Sequence, residues 1–466
     1  MNYNFEEIKA EYRKNGLNIF ELSCGCSIKI DLNVVYSGLS SIKNELYKLG
    51  VLLNDRVDAY VFPNHEEINI NRRVYKLNNF NIDQTDIKNL NPSMAIILLS
   101  LCQKNTISEL FAKKMLDSLT RISTDGVKFV LGKGHSIKGA RSDDDEFMLL
   151  DFISVDDKDQ NQIGYIAANN DTIQVIDPTR LPSDRIHVDV ALSNALNDLM
   201  ALGVTEDISF YPVYNAPNEE LLNKIESNIY DYLSKYDFDF IHMKPVGNGN
   251  FLMGGTVIGR TYKEPPMFYD KLTDGDKILV HRPFGDLAPI TGHLYECIEK
   301  GSFEEFNLKE LKKANEDVLS LISKPNLKVG EIINKYCPEF GERFSRDEHI
   351  IATSDISGQG IYTFKELTKK IHRNINLKHI PLLYEELSAT VVQMYLLNDG
   401  TAGTNGAIIM MASEHIIENI YHDLHKNGYD PRIIGEIGKR GEDVFIPKIN
   451  ESLISSPSLL KEFKLY

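Results

Sequence analysis

The stretch "DRIHVDVALSNALNDLMALG", residues 184–203, reads as one helix and fixes how its surroundings are read. Asp184 suits the N-cap position, because its short carboxylate can accept a backbone N–H of the first turn. Val188, Leu192, Leu199 and Leu202 form an apolar stripe, and Gly203 is a stop signal. Asn194 and Asp198 lie one turn apart on that stripe, with Ala191 and Ala201 above and below. Small apolar neighbours predict a polar pair packed inward, where it needs a partner.

On the N-terminal side, "TIQVIDPTRLP" (172–182) predicts a strand ending at Asp177 and turned by Pro178 and Pro182. Before it, "VKFVLGKGHSIKGARSDDDEFMLLDF" (127–152) predicts a strand, a glycine-rich loop, the acidic run Asp143–Asp145 and a second strand. On the C-terminal side, "DKILVHRPFG" predicts a strand into a turn, and two helices follow between 303 and 337. "EHIIATSDISGQG" places Asp355 at a strand end beside a glycine turn, ahead of the helix "IYTFKELTKKIH". "GAIIMMASEHIIENIYHDLHKNGYDPRIIGEIG" (406–438) reads as strand, helix, strand, with Ser413 as N-cap and Gly428 as stop.

This alternation predicts two domains, α/β or α+β, joined near 265–275 and placed at 126–270 and 271–466. Residues 1–50 form an N-terminal segment that closes in a helix over 34–50. Residues 51–125 read as an inserted module.

The 466-residue chain is 42% hydrophobic and 25% charged, an ordinary balance for a globular protein. No apolar run of about 18 residues predicts a transmembrane helix, and the polar start lacks the apolar core of a signal peptide. Five cysteines, an odd and small number, suit a reducing compartment, so a cytoplasmic protein is expected. A net charge of −16 argues against nucleic-acid binding, which depends on neutralising phosphates.

Carboxylates at strand ends beside glycine turns can converge on one point, and Mg²⁺ takes carboxylate and phosphate oxygens together. Each aspartate taken singly reads better as a solvated turn or a cap. No Walker-type phosphate loop occurs, and "GKGHSIKG" (132–139) does not open a helix, so it is a weak dinucleotide fingerprint. In "ELSCGCSIKI" (21–30), Cys24 and Cys26 lack the second cysteine pair that a zinc site needs. Lys29 beside Cys26 is different. An ammonium favours the thiolate and also neutralises charge on a transferring phosphoryl group.

Taken together, these pieces resemble the selenophosphate synthetases (selenide, water dikinases), within the aminoimidazole ribonucleotide synthetase-like ATP-binding superfamily. The N-terminal motif of a glycine, a reactive cysteine, two residues, a lysine and an apolar residue is matched by Gly25, Cys26, Ser27, Ile28, Lys29 and Ile30. The strand, glycine loop and Asp pair resemble "FVLG…RSDDDEFMLLDF". The strand-ending aspartate resembles Asp177, the helical Asn and Asp resemble Asn194 and Asp198, and "ATSDISGQG" supplies Asp355. The similarity spans roughly 20–50 and 127–448.

The resemblance implies a two-domain fold whose N-terminal-domain sheets pair in a homodimer, and ATP as substrate with Mg²⁺ as cofactor. It implies that Asp144 or Asp145, Asp177, Asp198 and Asp355 hold the metal, and that Gly132, Asn194, Asp177 and Arg282 contact the nucleotide. Cys26 and Lys29 would act on the chalcogenide, selenide or sulfide. The chain departs from the family at several points: residues 51–125 have no counterpart, Arg282 replaces a lysine, and Thr404-Asn405-Gly406 replaces a Ser-Gly-Gly turn. These departures leave open a sulfide-using variant, a small-molecule kinase of the superfamily, or a non-catalytic ATP-binding protein.

Overall fold

A computed structural model describes residues 4–22, 40–48, 51–53, 67–70, 73–76, 112–113, 116, 129–131, 164–242, 245, 251–301, 303, 305–358, 360–394, 396–397, 399–454 and 460–466. The chain divides into two compact units: one comprises Met1–Ser27 with Ile137–Tyr466, the other Ile28–Ser136. The fold is α+β, with helices and separate sheets. Among the described residues, no helix is long and apolar enough to cross a membrane.

The first unit opens with helices α1 (Phe5–Lys14) and α2 (Ile19–Leu22). Asn4 and Glu7 form a reciprocal capping box at the start of α1, which satisfies two backbone donors at once. The second unit contains α3 (Lys43–Lys48) and two small two-stranded sheets. Strand β1 (Val51–Leu53) pairs in parallel with β4 (Phe129–Leu131), and β2 (Glu67–Ile70) forms a hairpin with β3 (Arg73–Lys76). The hairpin overlaps "ININRRVYKLNNF" (68–80) in all but Glu67.

The chain then builds β5 (Tyr165–Ile173), α4 (Arg185–Ala201), β6 (Glu206–Asn215), α5 (Glu219–Lys235), β7 (Asp239–Phe240) and β8 (Leu252–Thr261). These strands form a four-stranded sheet in the order β5-β8-β6-β7, antiparallel except for the β6–β7 pair. Next come β9 (Lys277–Val280), α6 (Leu287–Ile298), α7 (Leu308–Ile322), α8 (Leu327–Lys335), β10 (Ala352–Ile356) and α9 (Tyr362–Ile371). The chain continues through β11 (Arg373–Leu377), α10 (Glu385–Gln393), β12 (Ala407–Ala412), α11 (Glu414–Lys426), β13 (Arg432–Arg440), β14 (Val444–Ile446) and β15 (Phe463–Leu465). Their strands form a seven-stranded mixed sheet in the order β10-β12-β9-β13-β11-β14-β15. Both of these sheets belong to the first unit.

Helix α4 is the element that positions the site. Asp184 caps it by accepting the Ile186 N–H, and Gly203 beyond its end has φ +69°, a conformation glycine adopts without steric cost. The sequence predicts an apolar stripe, yet every residue from Val190 to Ala201 is buried. The reason is that α4 packs against β5 and β8 on one side and β10 of the other sheet on another. A helix walled in this way has no solvent face, so its polar residues must find partners inside. The N-terminal helix α1 docks on the same unit through a bond from Asn218 Nδ2 to Asn15 Oδ1 at 3.0 Å, and Tyr12 is fully buried.

One expectation about local structure is corrected, and a second is met in position only. Strand β5 spans Tyr165–Ile173, so it ends before Asp177. Asp177 instead folds a turn, its Oδ1 accepting both the Thr179 N–H (2.9 Å) and the Thr179 hydroxyl (2.7 Å). Ser413 stands at the N-cap of α11, but its hydroxyl donates to the Arg346 carbonyl and makes no capping bond.

Candidate functional site

Asp198 and Asp355 face each other where α4, β5 and β10 pack, with Asp171, Asn169 and Asn194 around them; the three carboxylates do not each bring an oxygen within 4.8 Å of the other two. Strand alternation turns Asn169 and Asp171 to the same face of β5, the face toward α4. Asn169 Nδ2 donates to Asp198 Oδ2 at 2.8 Å and to the Ala195 carbonyl at 2.9 Å. Asn194 Nδ2 donates to Asp171 Oδ2 in a short hydrogen bond. Asp355, on β10, faces Asp198. Asn194, Asp198 and Asp355 are 7%, 7% and 8% exposed, so these polar groups have little water to screen them.

The electrostatics follow from that burial. Burial pushes the Asp198 carboxyl well above its ordinary range, and the charges of Asp355 and Asp171 push it further. The Asn169 amide opposes the shift, but a neutral dipole offsets only part of it. Like charges held this close are relieved by a proton on Asp198 donated to Asp355, or by a cation. The oxygen donors here are the carboxylates, which suit a hard divalent ion such as Mg²⁺, while the amides present N–H groups that orient them.

A second layer fixes the amides. Asn405 donates its backbone N–H to Asn194 Oδ1 at 2.6 Å. That bond settles which way the Asn194 amide points, and so its NH₂ faces Asp171. Asn197, one turn along, donates to the Gly406 carbonyl (3.2 Å) and accepts from Asn326 (2.6 Å). Gly406 allows the approach, because a Cβ there would collide with the Ile356 carbonyl oxygen.

Of the residues singled out in the sequence, Asp198, Asn194 and Asp355 come together. Asp177 does not share their partners. It is fully buried, its Oδ2 accepting from Asn315 Nδ2 at 2.9 Å and lying 3.3 Å from Arg180 Nε. Arg282 is also committed to protein: its guanidinium forks onto Asp286 (2.8 and 3.1 Å) and donates to the Pro283 and Asn405 carbonyls. Cys26, Lys29, Gly132, Asp144 and Asp145 lie outside the described residues. The sequence reading missed Asn169, Asp171 and Asn405. Period-2 alternation in "AANNDTI" would have placed Asn169 and Asp171 on one face, had the strand been recognised.

Two other side-chain groups carry chemistry-bearing atoms. Glu342, Glu348 and His349 bring their potential ligand atoms within 4.8 Å of one another, the one such group among the described residues. His349 Nδ1, however, accepts the Ser345 N–H at 3.0 Å, which leaves the hydrogen of a neutral ring on Nε2 and removes the lone pair a metal would use. Cys297 lies 3.6 Å from His293 Nε2, but burial, then Asp177 and Glu296, push its thiol up to about 11. A protonated thiol is a poor nucleophile.

No family model matches the chain, and no curated protein matches it. Among solved structures, thiamine-monophosphate kinase from Stenotrophomonas maltophilia K279a is 14% identical, with TM-score 0.43 over 60% of this chain and 84% of that one. The Aquifex aeolicus thiamine monophosphate kinase is 16% identical, with TM-score 0.41 over 62% and 90%. The hydrogenase maturation protein HypE in complex with ATP is 16% identical, with TM-score 0.43 over 60% and 80%. At such identities and scores, fold and site are read from this chain's own topology and contacts.

Proposed function

We propose that the protein is an ATP- and Mg²⁺-dependent phosphotransferase that acts on a chalcogenide. In this reading selenide, water and ATP give selenophosphate, AMP and phosphate. One observation carries the cation-dependent part: the buried carboxylates Asp198 and Asp355 face each other, the half-buried Asp171 lies beside them, and amides orient Asp198 and Asp171. Asp171, Asp198 and Asp355 would hold Mg²⁺, with Asp144 or Asp145 contributed by the acidic run. A Mg²⁺ held by these residues would supply charge neutralisation for a triphosphate. Asp177, whose oxygens are engaged by Thr179, Asn315 and Arg180, anchors the turn between β5 and α4 in this reading. Arg282 steadies the Asn405 loop, and Asn194 orients Asp171.

The selenide part rests on the sequence motif Gly25-Cys26-Ser27-Ile28-Lys29. Lys29 would neutralise the transferring phosphoryl, and Cys26 would deliver or orient the chalcogenide. Gly132 would lie against the phosphates. A cytoplasmic homodimer belongs to the same reading.

The test is a reaction of ATP and Mg²⁺ with selenide or sulfide, followed by phosphorus NMR. A phosphorus–chalcogen signal with AMP is expected. Absence of both sinks the proposal, ADP formation points to a kinase of another acceptor, and binding without turnover points to a non-catalytic protein. Cys26→Ala and Lys29→Ala should each abolish turnover and leave ATP binding within a few-fold of wild type.

A further inference from the structure

Asn405 holds more of the site together than any residue the sequence singled out. It is 1% exposed, and its backbone has φ +43°, the left-handed region where asparagine is one of the few tolerated residues. Its polar atoms are spread over three elements. The N–H donates to Asn194 Oδ1 on α4. Nδ2 donates to the carbonyls of Ile322 (2.6 Å) and Lys324 (2.9 Å) at the end of α7. The carbonyl accepts from Arg282 at 2.8 Å, and Arg282 is itself fixed by the buried Asp286.

We propose that Asn405 is a positioning residue that sets the cation affinity of the Asp171–Asp198–Asp355 cluster by locking the orientation of the Asn194 amide. The inference rests on the reading of that cluster as a Mg²⁺ site. The logic is that of donor and acceptor identity. Asn194 turned over would present its carbonyl oxygen to Asp171, and two acceptors would face each other. The Asn405 N–H forbids that flip as long as its loop stays in place. The loop is kept in place by the side chain's two bonds to the end of α7 and by Arg282. Partners one layer behind a metal's ligands commonly change its affinity by about ten- to a hundredfold.

The experiment uses the full chain and Mg²⁺ alone as probe, titrated by calorimetry, with the metal-free melting temperature measured in parallel. Asn405→Gly keeps the left-handed backbone accessible and removes the side-chain bonds to Ile322, Lys324 and Asn326. Its Mg²⁺ affinity is expected to fall about tenfold or more. Asn194→Ala should cause a loss of similar size, and the double variant should lose no more than Asn194→Ala alone, because both act through one amide. Asn334→Ala serves as control. It removes bonds to Gly203 and Thr261 and should lower the melting temperature without moving Mg²⁺ affinity. Should Asn405→Gly fail to fold, Asn405→Asp tolerates the same backbone and lacks the donors. Unchanged Mg²⁺ affinity in the Asn405 variants, or additive losses in the double variant, overturns the positioning role and leaves the site reading intact. A wild-type chain that binds no Mg²⁺ overturns both.

Discussion

Asp198 is a costly residue of the acidic cluster. Burial, then Asp355 and Asp171, raise its carboxyl well above the usual range. A carboxyl raised on folding binds its proton more tightly folded than unfolded, so stability falls as pH climbs above the unfolded value near 4. Asp198→Asn should therefore melt higher than wild type at pH 8 without metal, and should lose any Mg²⁺-dependent rise. A variant that melts lower, or that keeps the rise, refutes this. Asp399 gives a second, metal-independent case. Its Oδ1 accepts from Thr401, while Oδ2 is buried with no partner among the described residues, and burial lifts the carboxyl to about 7. The sign is the same: the stability difference between Asp399→Asn and wild type should move in favour of the variant from pH 4 to pH 7, by up to about 4 kcal/mol, and then level off. Urea denaturation across that range checks it, and parallel pH profiles would refute it.

Elements differ in how much of them the sequence reveals. Helix α4 is legible because local chemistry and tertiary structure agree: Asp184 caps it, Gly203 ends it, and Asn194 and Asp198 pack inward as their alanine neighbours suggest. Strand β5 is partly hidden, because "AANND" has no β-branched or aromatic residue and its extended form comes from pairing with β8. Strand β8 itself reads "LMGGTVIGRT", with three glycines that weaken the local signal. One of them, Gly254, lies where a Cβ would collide with the Asp171 carbonyl oxygen, so close backbone approach explains it better than propensity does. The role of Asn405 is invisible locally, since its partners lie 79 to 211 residues away. At this scale the sharpest prediction concerns Gly406. Its added Cβ would meet the backbone of Ile356 and Ser357, which cannot swing aside as a side chain can. Gly406→Ala should cost about 3 kcal/mol or more in urea denaturation, and a cost under 1 kcal/mol would show that the loop can shift.

At the scale of the molecule, the acidic cluster ties the two sheets of the first unit together: Asp171 comes from the four-stranded sheet, Asp355 from the seven-stranded one, and Asp198 from the helix between. A cation held there should stabilise the folded unit by about 2.7 kcal/mol at a hundred times its dissociation constant. Hydrogen exchange with Mg²⁺ should slow amides in both 165–173 and 352–356, and protection confined to one strand would contradict a shared ligand. The path of the chain carries a different consequence. Residues Ile28–Ser136 leave the first unit and return to it, so the bond between Asn15 and Asn218 closes across 203 residues. A ribosome adding about 5–20 residues per second needs roughly 10–40 s to deliver the partner. For that interval α1 is made but undocked, with Ile8 and Tyr12 on its surface, and the newborn chain must be kept from sticking to others by speed of synthesis or by a chaperone's grip.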